Sequence, residues 1–324
     1  MDWLTLPELE AARKIVRGHM APTPALSWPL VNERAGAEVW VKHENHSPIG
    51  AFKVRGGLVY LTRIKAENPD IAGVLSATTG NHGQSIGLAA RLVGLPATIV
   101  VPLGNNPGKN AAMRGFGVEL IEHGADFDSA REFAEGMVED RGLHMVPAFH
   151  PWLVQGVASY ALEFFEAQPD LDTVYVPIGL GSGICGVIAA RDALGLKTEV
   201  VGVVAEGAPC YALSFEAGRV VPTNGVETLA EGLAVRQPSP IALEIIRKGA
   251  NRIVRVSDAE IMAAMETYVT ETHNLAEGAG AAGLAALMQE REAMASRRIG
   301  VVLSGGNVSR EQLARVLAGT GADG

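Results

Sequence analysis

Cysteine is scarce, with only Cys185 and Cys210 in 324 residues. Two thiols in a chain of this length make no disulfide framework, and a reducing compartment is the expectation. Basic charge is also short. Lys and Arg number 27 against 36 Asp and Glu, a net charge of -9 that leaves no basic face for nucleic acid. No block of like charges is long enough to be an interaction tail. No uncharged stretch reaches the roughly 18 apolar residues of a membrane-spanning helix. The start, Met1-Asp2-Trp3-Leu4, has neither the basic residues nor the apolar run of a signal peptide. A cytoplasmic protein is expected, with neither membrane nor nucleic acid as partner. Repeats, low-complexity tracts and clear linkers are missing too.

Hydrophobic residues, 48% of the chain, are plentiful, and so is glycine, with 38 residues. The length suits two α/β domains or one large one. Short apolar runs alternate with helical patterns. Strands are predicted at 39–42, 73–76, 97–101, 119–122, 173–176, 198–204, 252–256 and 298–303. Such apolar strands suit parallel sheets covered by helices on both faces. Helices are predicted at 84–93 and 258–273, the second opened by Ser257 as its cap. The fold class is therefore α/β with mostly parallel sheets. Residues 220–240, holding Pro222, Gly225, Pro238 and Pro240, are the most loop-like part.

Ligands of such sheets bind in loops at the carboxyl ends of strands. In the first candidate, Asn45 to Gly57, Pro48 and Gly50 make a turn and Phe52-Lys53 starts a helix. The helix dipole disfavours a cation there, which would depress the amine's pKa and suit a Schiff-base nucleophile. Alone, Lys53 reads more simply as a surface lysine. The second loop is Ser76-Ala77-Thr78-Thr79-Gly80-Asn81-His82-Gly83. Hydroxyls and backbone N–H groups at a helix start make an anion site fit for a carboxylate, or only a plain cap. The third, Pro177-Ile178-Gly179-Leu180-Gly181-Ser182-Gly183, joins a strand to a helix and favours a phosphate. Its Gly-x-Gly-x-Gly is not the dinucleotide spacing and lacks the lysine ending of a nucleotide-triphosphate loop. Near the end, Ser304-Gly305-Gly306-Asn307 follows a strand, and by itself reads as a tight turn.

Taken together and in this order, the four stretches resemble the fold type II pyridoxal-phosphate enzymes, most of all the threonine/serine dehydratase and serine racemase branch. The match runs from about residue 20 to 310. Ser47-Pro48-Ile49-Gly50-Ala51-Phe52-Lys53-Val54-Arg55-Gly56 looks like the family's lysine motif, and Thr79-Gly80-Asn81-His82-Gly83 like its Ser-Gly-Asn-His loop. The resemblance implies two domains, a large one of residues 1–45 and 151–324 that binds pyridoxal 5'-phosphate and a small one of residues 46–150. It implies that Lys53 holds the cofactor covalently and is the base at the substrate's α-carbon. Phe52 would pack beside the ring and Asn81 would bond the phenolic oxygen. Gly179, Leu180, Gly181, Ser182 and Gly183 would bind the phosphate, and Ser304 would face the pyridine nitrogen. Glu277 matches an acidic position near the ring. The substrate carboxylate falls to Thr78, Thr79, Gly80 and His82, with Ser76 just before that loop. A homodimer follows from family habit alone.

The implied reaction is β-elimination from a β-hydroxy-α-amino acid, such as threonine, serine or an aryl-serine, giving a 2-oxo acid and ammonia. Racemases of this family place a serine where Thr79 stands. The added methyl crowds proton exchange on that face and favours dehydration. Relatives that bind a divalent cation use two acids after the strand matching 200–204. Val204 and Pro209 stand near those positions and Glu206 alone is a poor cage, so no metal is expected there. The regulatory domain of biosynthetic threonine dehydratases has no counterpart, so feedback control of that kind is not expected. Phe149-His150-Pro151-Trp152 and Ala230-Glu231-Gly232-Leu233-Ala234, the expected neighbours of the substrate side chain, offer no cation for a second carboxylate. That leans away from hydroxyaspartate. A racemase, a hydroxyaspartate dehydratase and a cofactor-binding protein without turnover stay open as alternatives.

Overall fold

Among the described residues, valine- and isoleucine-rich runs, whose branched side chains fit a pleated surface, account for most of ten strands in two separate sheets. The computed structural model describes residues 3–319; Met1 and Asp2 of the N-terminal stretch lie outside the described residues. The strands are β1 (Ala25–Ser27), β2 (Glu38–His43), β3 (Val74–Ala77), β4 (Ala97–Val101), β5 (Glu119–Glu122), β6 (His144–Met145), β7 (Thr173–Pro177), β8 (Glu199–Ala205), β9 (Arg252–Val256) and β10 (Arg298–Leu303). A six-stranded sheet has the order β1-β2-β10-β7-β8-β9, and a four-stranded sheet the order β5-β4-β3-β6. Every pairing is parallel except β1 with β2. The four-stranded sheet lies wholly within residues 46–150, and the six-stranded sheet is built from the flanking segments.

Eight strands match the sequence reading to within a residue or so. The two unforeseen ones, β1 and β6, have three and two residues, too short to carry a periodic signal. The helix Asp258–Thr272 starts at a capping box in which Ser257 and Glu260 satisfy each other's backbone N–H groups. It ends one residue earlier than expected, because His273 takes the left-handed conformation at φ 56°. Among the described residues no helix is long and apolar enough to cross a membrane.

The central strands are buried on both faces, as parallel sheets require. Val39, Val41, Val201, Val203 and Val301 pack with Ala281, Ala282 and Leu284 of the helix Gly278–Gln289. The two sheets meet along the helix Lys53–Glu67, which packs on both Asn81–Val93 and Pro151–Ala167. A wholly buried set of charges fixes that junction. Arg55 Nε donates to Glu44 at 2.7 Å, and Arg55 Nη2 donates to Glu163 at 2.9 Å. Lys42 Nζ reaches Glu163 at 2.8 Å and the Thr23 carbonyl at 2.8 Å. Two buried cations face two carboxylates, and the exposed Arg17 also reaches Glu163 at 3.2 Å, so the desolvated charges are compensated, which is what makes such burial tolerable.

The loops after β3, β7 and β10 leave the carboxyl ends of their strands toward one another. One cavity between the two sheets collects all three.

Candidate active site

Lys53 is the first residue of its helix, and the Phe52 N-cap supplies no side-chain hydrogen bond there. The lysine Nζ donates to Ser182 Oγ at 3.2 Å and stands 5.2 Å from the Phe52 ring centroid. Among the described residues no carboxylate is paired with it. Burial alone pushes its pKa down to about 8, so a usable share of neutral amine is present near neutral pH.

Facing it is the glycine turn. Gly181 has φ +97°, a conformation that favours glycine, and it caps the helix Ser182–Ala193 without a side-chain bond. A Cβ on Gly179 would stand 2.3 Å from the Gly232 carbonyl, so the chain runs too close there for any side chain. The Leu180 carbonyl accepts from the Tyr211 hydroxyl at 2.9 Å, which pins the turn from behind. The N–H groups at this helix start are left for an anion.

The turn after β3 is built alike. Gly80 caps the helix Asn81–Val93 with no side-chain bond, leaving those N–H groups and the Thr78 and Thr79 hydroxyls at the cavity. His82 has Nε2 buried without a partner. Burial first, then the charge of Lys53, push its pKa down to about 3, so the ring is neutral. Asn81 ties the sheets together: its Nδ2 donates to Glu277 at 2.7 Å, and its Oδ1 accepts from Asn307 at 2.8 Å. Burial raises the Glu277 pKa against the opposing pull of Lys109 and Asn81. Ser304, at the end of β10, lines the cavity, and its carbonyl accepts from the Phe52 N–H at 3.0 Å.

The cavity has a volume of about 210 Å³. Phe52, Lys53, Thr78, Thr79, Gly80, Asn81 and His82 line it from one side, and the Gly179-to-Gly183 turn, Glu277 and Ser304 from the other. Ser76 is the exception among the residues singled out in the sequence. Its hydroxyl donates to the Val146 carbonyl at 3.3 Å across to the neighbouring strand, and it does not reach the cavity. The expected neighbours at 149–152 also turn away: His150 caps the helix Pro151–Ala167 and packs on Tyr60.

Of the expected neighbours at 230–234, Glu231, Gly232 and Leu233 do line the cavity, but sequence reasoning missed Lys109 and Phe127 on its wall. Lys109 lies in the first turn of the helix Pro107–Gly115 and is ion-paired to Glu231. A cation in a helix's first turn is the sign that singled out Lys53, and it could have flagged Lys109 too. The wall does hold a cation, contrary to the expectation above.

A phosphate-bearing aldehyde needs a deprotonated amine and an anion cradle within one molecule's length. Lys53 and the glycine turn, joined by the contact with Ser182, meet both needs. The comparisons agree. A family model described as "Pyridoxal-phosphate dependent enzyme" matches residues 16–305. An L-threonine ammonia-lyase of Thermotoga maritima is 32% identical over 97% of this chain and 78% of its own length. An L-threo-3-hydroxyaspartate ammonia-lyase of Saccharomyces cerevisiae is 30% identical over 96% of this chain and 95% of its own. The structure of maize serine racemase superposes with a TM-score of 0.91 at 26% identity, covering 97% of each chain. With 97% of its length matched in fold and the lysine, hydroxyl and glycine turns gathered at one cavity, the chain belongs to the pyridoxal-phosphate dependent enzymes.

Proposed function

We propose that this enzyme is an ammonia-lyase that removes the β-hydroxyl and amino groups of a β-hydroxy-α-amino acid. The observation that carries the reading is Lys53, a desolvated amine at the cavity with no carboxylate partner among the described residues, set between an anion cradle and a second turn fit for a carboxylate. Bound pyridoxal phosphate supplies the electron sink that makes the α-hydrogen of an amino acid removable as a proton. Lys53 would hold the cofactor, and the N–H groups of the 179–183 turn would hold its phosphate. Free N–H groups at Asn81–Val93, with the Thr78 and Thr79 hydroxyls, would orient the substrate carboxylate. Lys53 Nζ would then take the α-proton as general base. The α-proton and β-hydroxyl leave together as water, and hydrolysis returns one water as ammonia departs, leaving a 2-oxo acid.

His82 would serve the carboxylate through its backbone N–H and not its ring, which is neutral, bonds the Pro147 backbone and so leaves Nε2 as an acceptor. Ser304 offers the ring nitrogen a hydroxyl in place of a charge, which suits prompt loss of a leaving group. Thr79 supports elimination over racemisation, since its methyl crowds the face where a returning proton would arrive. Residues 46–150 would form the smaller domain and the flanking segments the larger, and the enzyme would act as a homodimer in the cytoplasm.

The test is a screen of threonine, serine, 3-hydroxyaspartate and phenylserine with 2-oxo acid detection. At least one should give equimolar oxo acid and ammonia. If all four are recovered unchanged, the reading fails; if they are recovered with inverted α-carbons, the serine racemase alternative takes its place.

A further inference from the structure

The cavity wall carries an ion pair that the reaction above does not use. Lys109 comes from the segment of the four-stranded sheet, and its side chain is only 13% exposed. Glu231, in the short turn Glu231–Leu233 of the other segment, leaves 61% of its side chain in water. The lysine overhangs the turn after β3: its Cδ is 3.3 Å and its Nζ 3.7 Å from where a Cβ on Gly80 would stand. That is the turn whose free N–H groups suit a carboxylate.

A mostly buried ammonium needs a counter-ion. Glu231 supplies one, yet little holds it in place, because a carboxylate so far in water is readily rehydrated. A substrate carboxylate arriving at Gly80 would offer the same charge to the same three N–H donors. It could not simply join the pair. Glu277 already feels both Lys109 and Glu231, so two carboxylates attend one lysine, and a third would meet repulsion.

We infer that Lys109 is a substrate-binding residue for a carboxylate, and that Glu231 is its resting counter-ion, displaced when substrate enters. One N–H···O contact breaks, an equivalent one forms, and no proton moves. The pair also spans the two sheets, as does Arg236 with Asp128. Each substrate bound would release one of these two ties. This inference rests on the amino-acid reading of the cavity.

The carboxylate could be the one every α-amino acid carries, or a second one on the side chain. Calorimetric titration of the pyridoxal-phosphate-loaded enzyme with L-alanine and with L-aspartate separates them, since neither probe has a β-hydroxyl to lose. K109Q should weaken binding by about tenfold, K109R should restore most of it, and E231Q should tighten it. If both probes respond, Lys109 serves the α-carboxylate; if aspartate alone responds, it serves a side-chain carboxylate and the preferred substrates are dicarboxylic. Unchanged affinities in K109Q and E231Q overturn the exchange while leaving the proposed reaction intact. A wild-type enzyme that binds neither probe overturns the amino-acid reading and this inference with it.

Discussion

Lys53 and Arg55 are two residues apart on one helix, both cations by nature, Arg55 fully buried and Lys53 half-buried at the cavity, and their surroundings are opposite. Arg55 reaches two carboxylates, a serine hydroxyl and a threonine hydroxyl, and none of its charge is left without a partner. Lys53 has one hydroxyl and no carboxylate. Burial with partners yields a fixed charge that anchors the helix. Burial without them destabilises the charge itself, so the amine tends to lose its proton and becomes reactive. The same low-polarity setting makes scaffold of one residue and chemistry of the other, and pairing decides which.

The largest expected effect comes from removing the chemistry alone. Arginine at position 53 keeps a cation but cannot give up its proton. Lys53→Arg should cut 2-oxo acid formation by at least about 10³-fold, and borohydride treatment should no longer attach a pyridoxyl group to this residue. Retained turnover would remove Lys53 from the mechanism. Next comes the scaffold side. Arg55→Met leaves Glu44 in the interior without its ion partner and strips one cation from Glu163, and should cost about 3–5 kcal/mol of stability, read from chemical denaturation. A loss below about 1 kcal/mol would mean the buried charges are not the anchor described here.

The contrast can be sharpened by titration. Lys53 is pushed down to about 8 by burial, so its reactive neutral form grows as pH rises through 8 and shrinks below it. At pH 7 that is roughly 300-fold more free amine than an ordinary lysine has. Recombination of cofactor-free protein with pyridoxal phosphate should therefore rise with pH and reach half its plateau rate near 8. A midpoint near 10 would show an ordinary, hydrated lysine. The smallest effect is expected at Ser76, whose hydroxyl serves the strand and not the cavity. Ser76→Ala should cost about 1 kcal/mol of stability with KM unchanged, and a severalfold rise in KM would return Ser76 to the substrate.

Most of the eight strands were legible because buried parallel strands are written as apolar runs, whereas the edge strand β5 showed only Leu120 and Ile121 between two glutamates. The three turns at the cavity were legible because each sets glycine or small hydroxyl residues between a strand and a helix. What sequence hid was pairing across distance. Nothing local to Arg55 announces Glu163, 108 positions away, and nothing local to Lys109 announces Glu231, 122 positions away. Such contacts exist only once the sheets have packed. The same limit explains Ser76, whose partner Val146 belongs to a stretch with a strand too short to foresee.

The charged junction behind Lys53 also constrains how the molecule can assemble. Of its four ions, Lys42, Glu44 and Glu163 come from the segments of the six-stranded sheet, and Arg55 alone comes from the other. Separated, Glu44 would lose its one direct ion pair and Arg55 both of its carboxylates, each then obliged to stay wet. Neither part can finish drying this junction by itself, so the contact that completes the charge set is the same one that holds the helix of the reactive amine against both sheets.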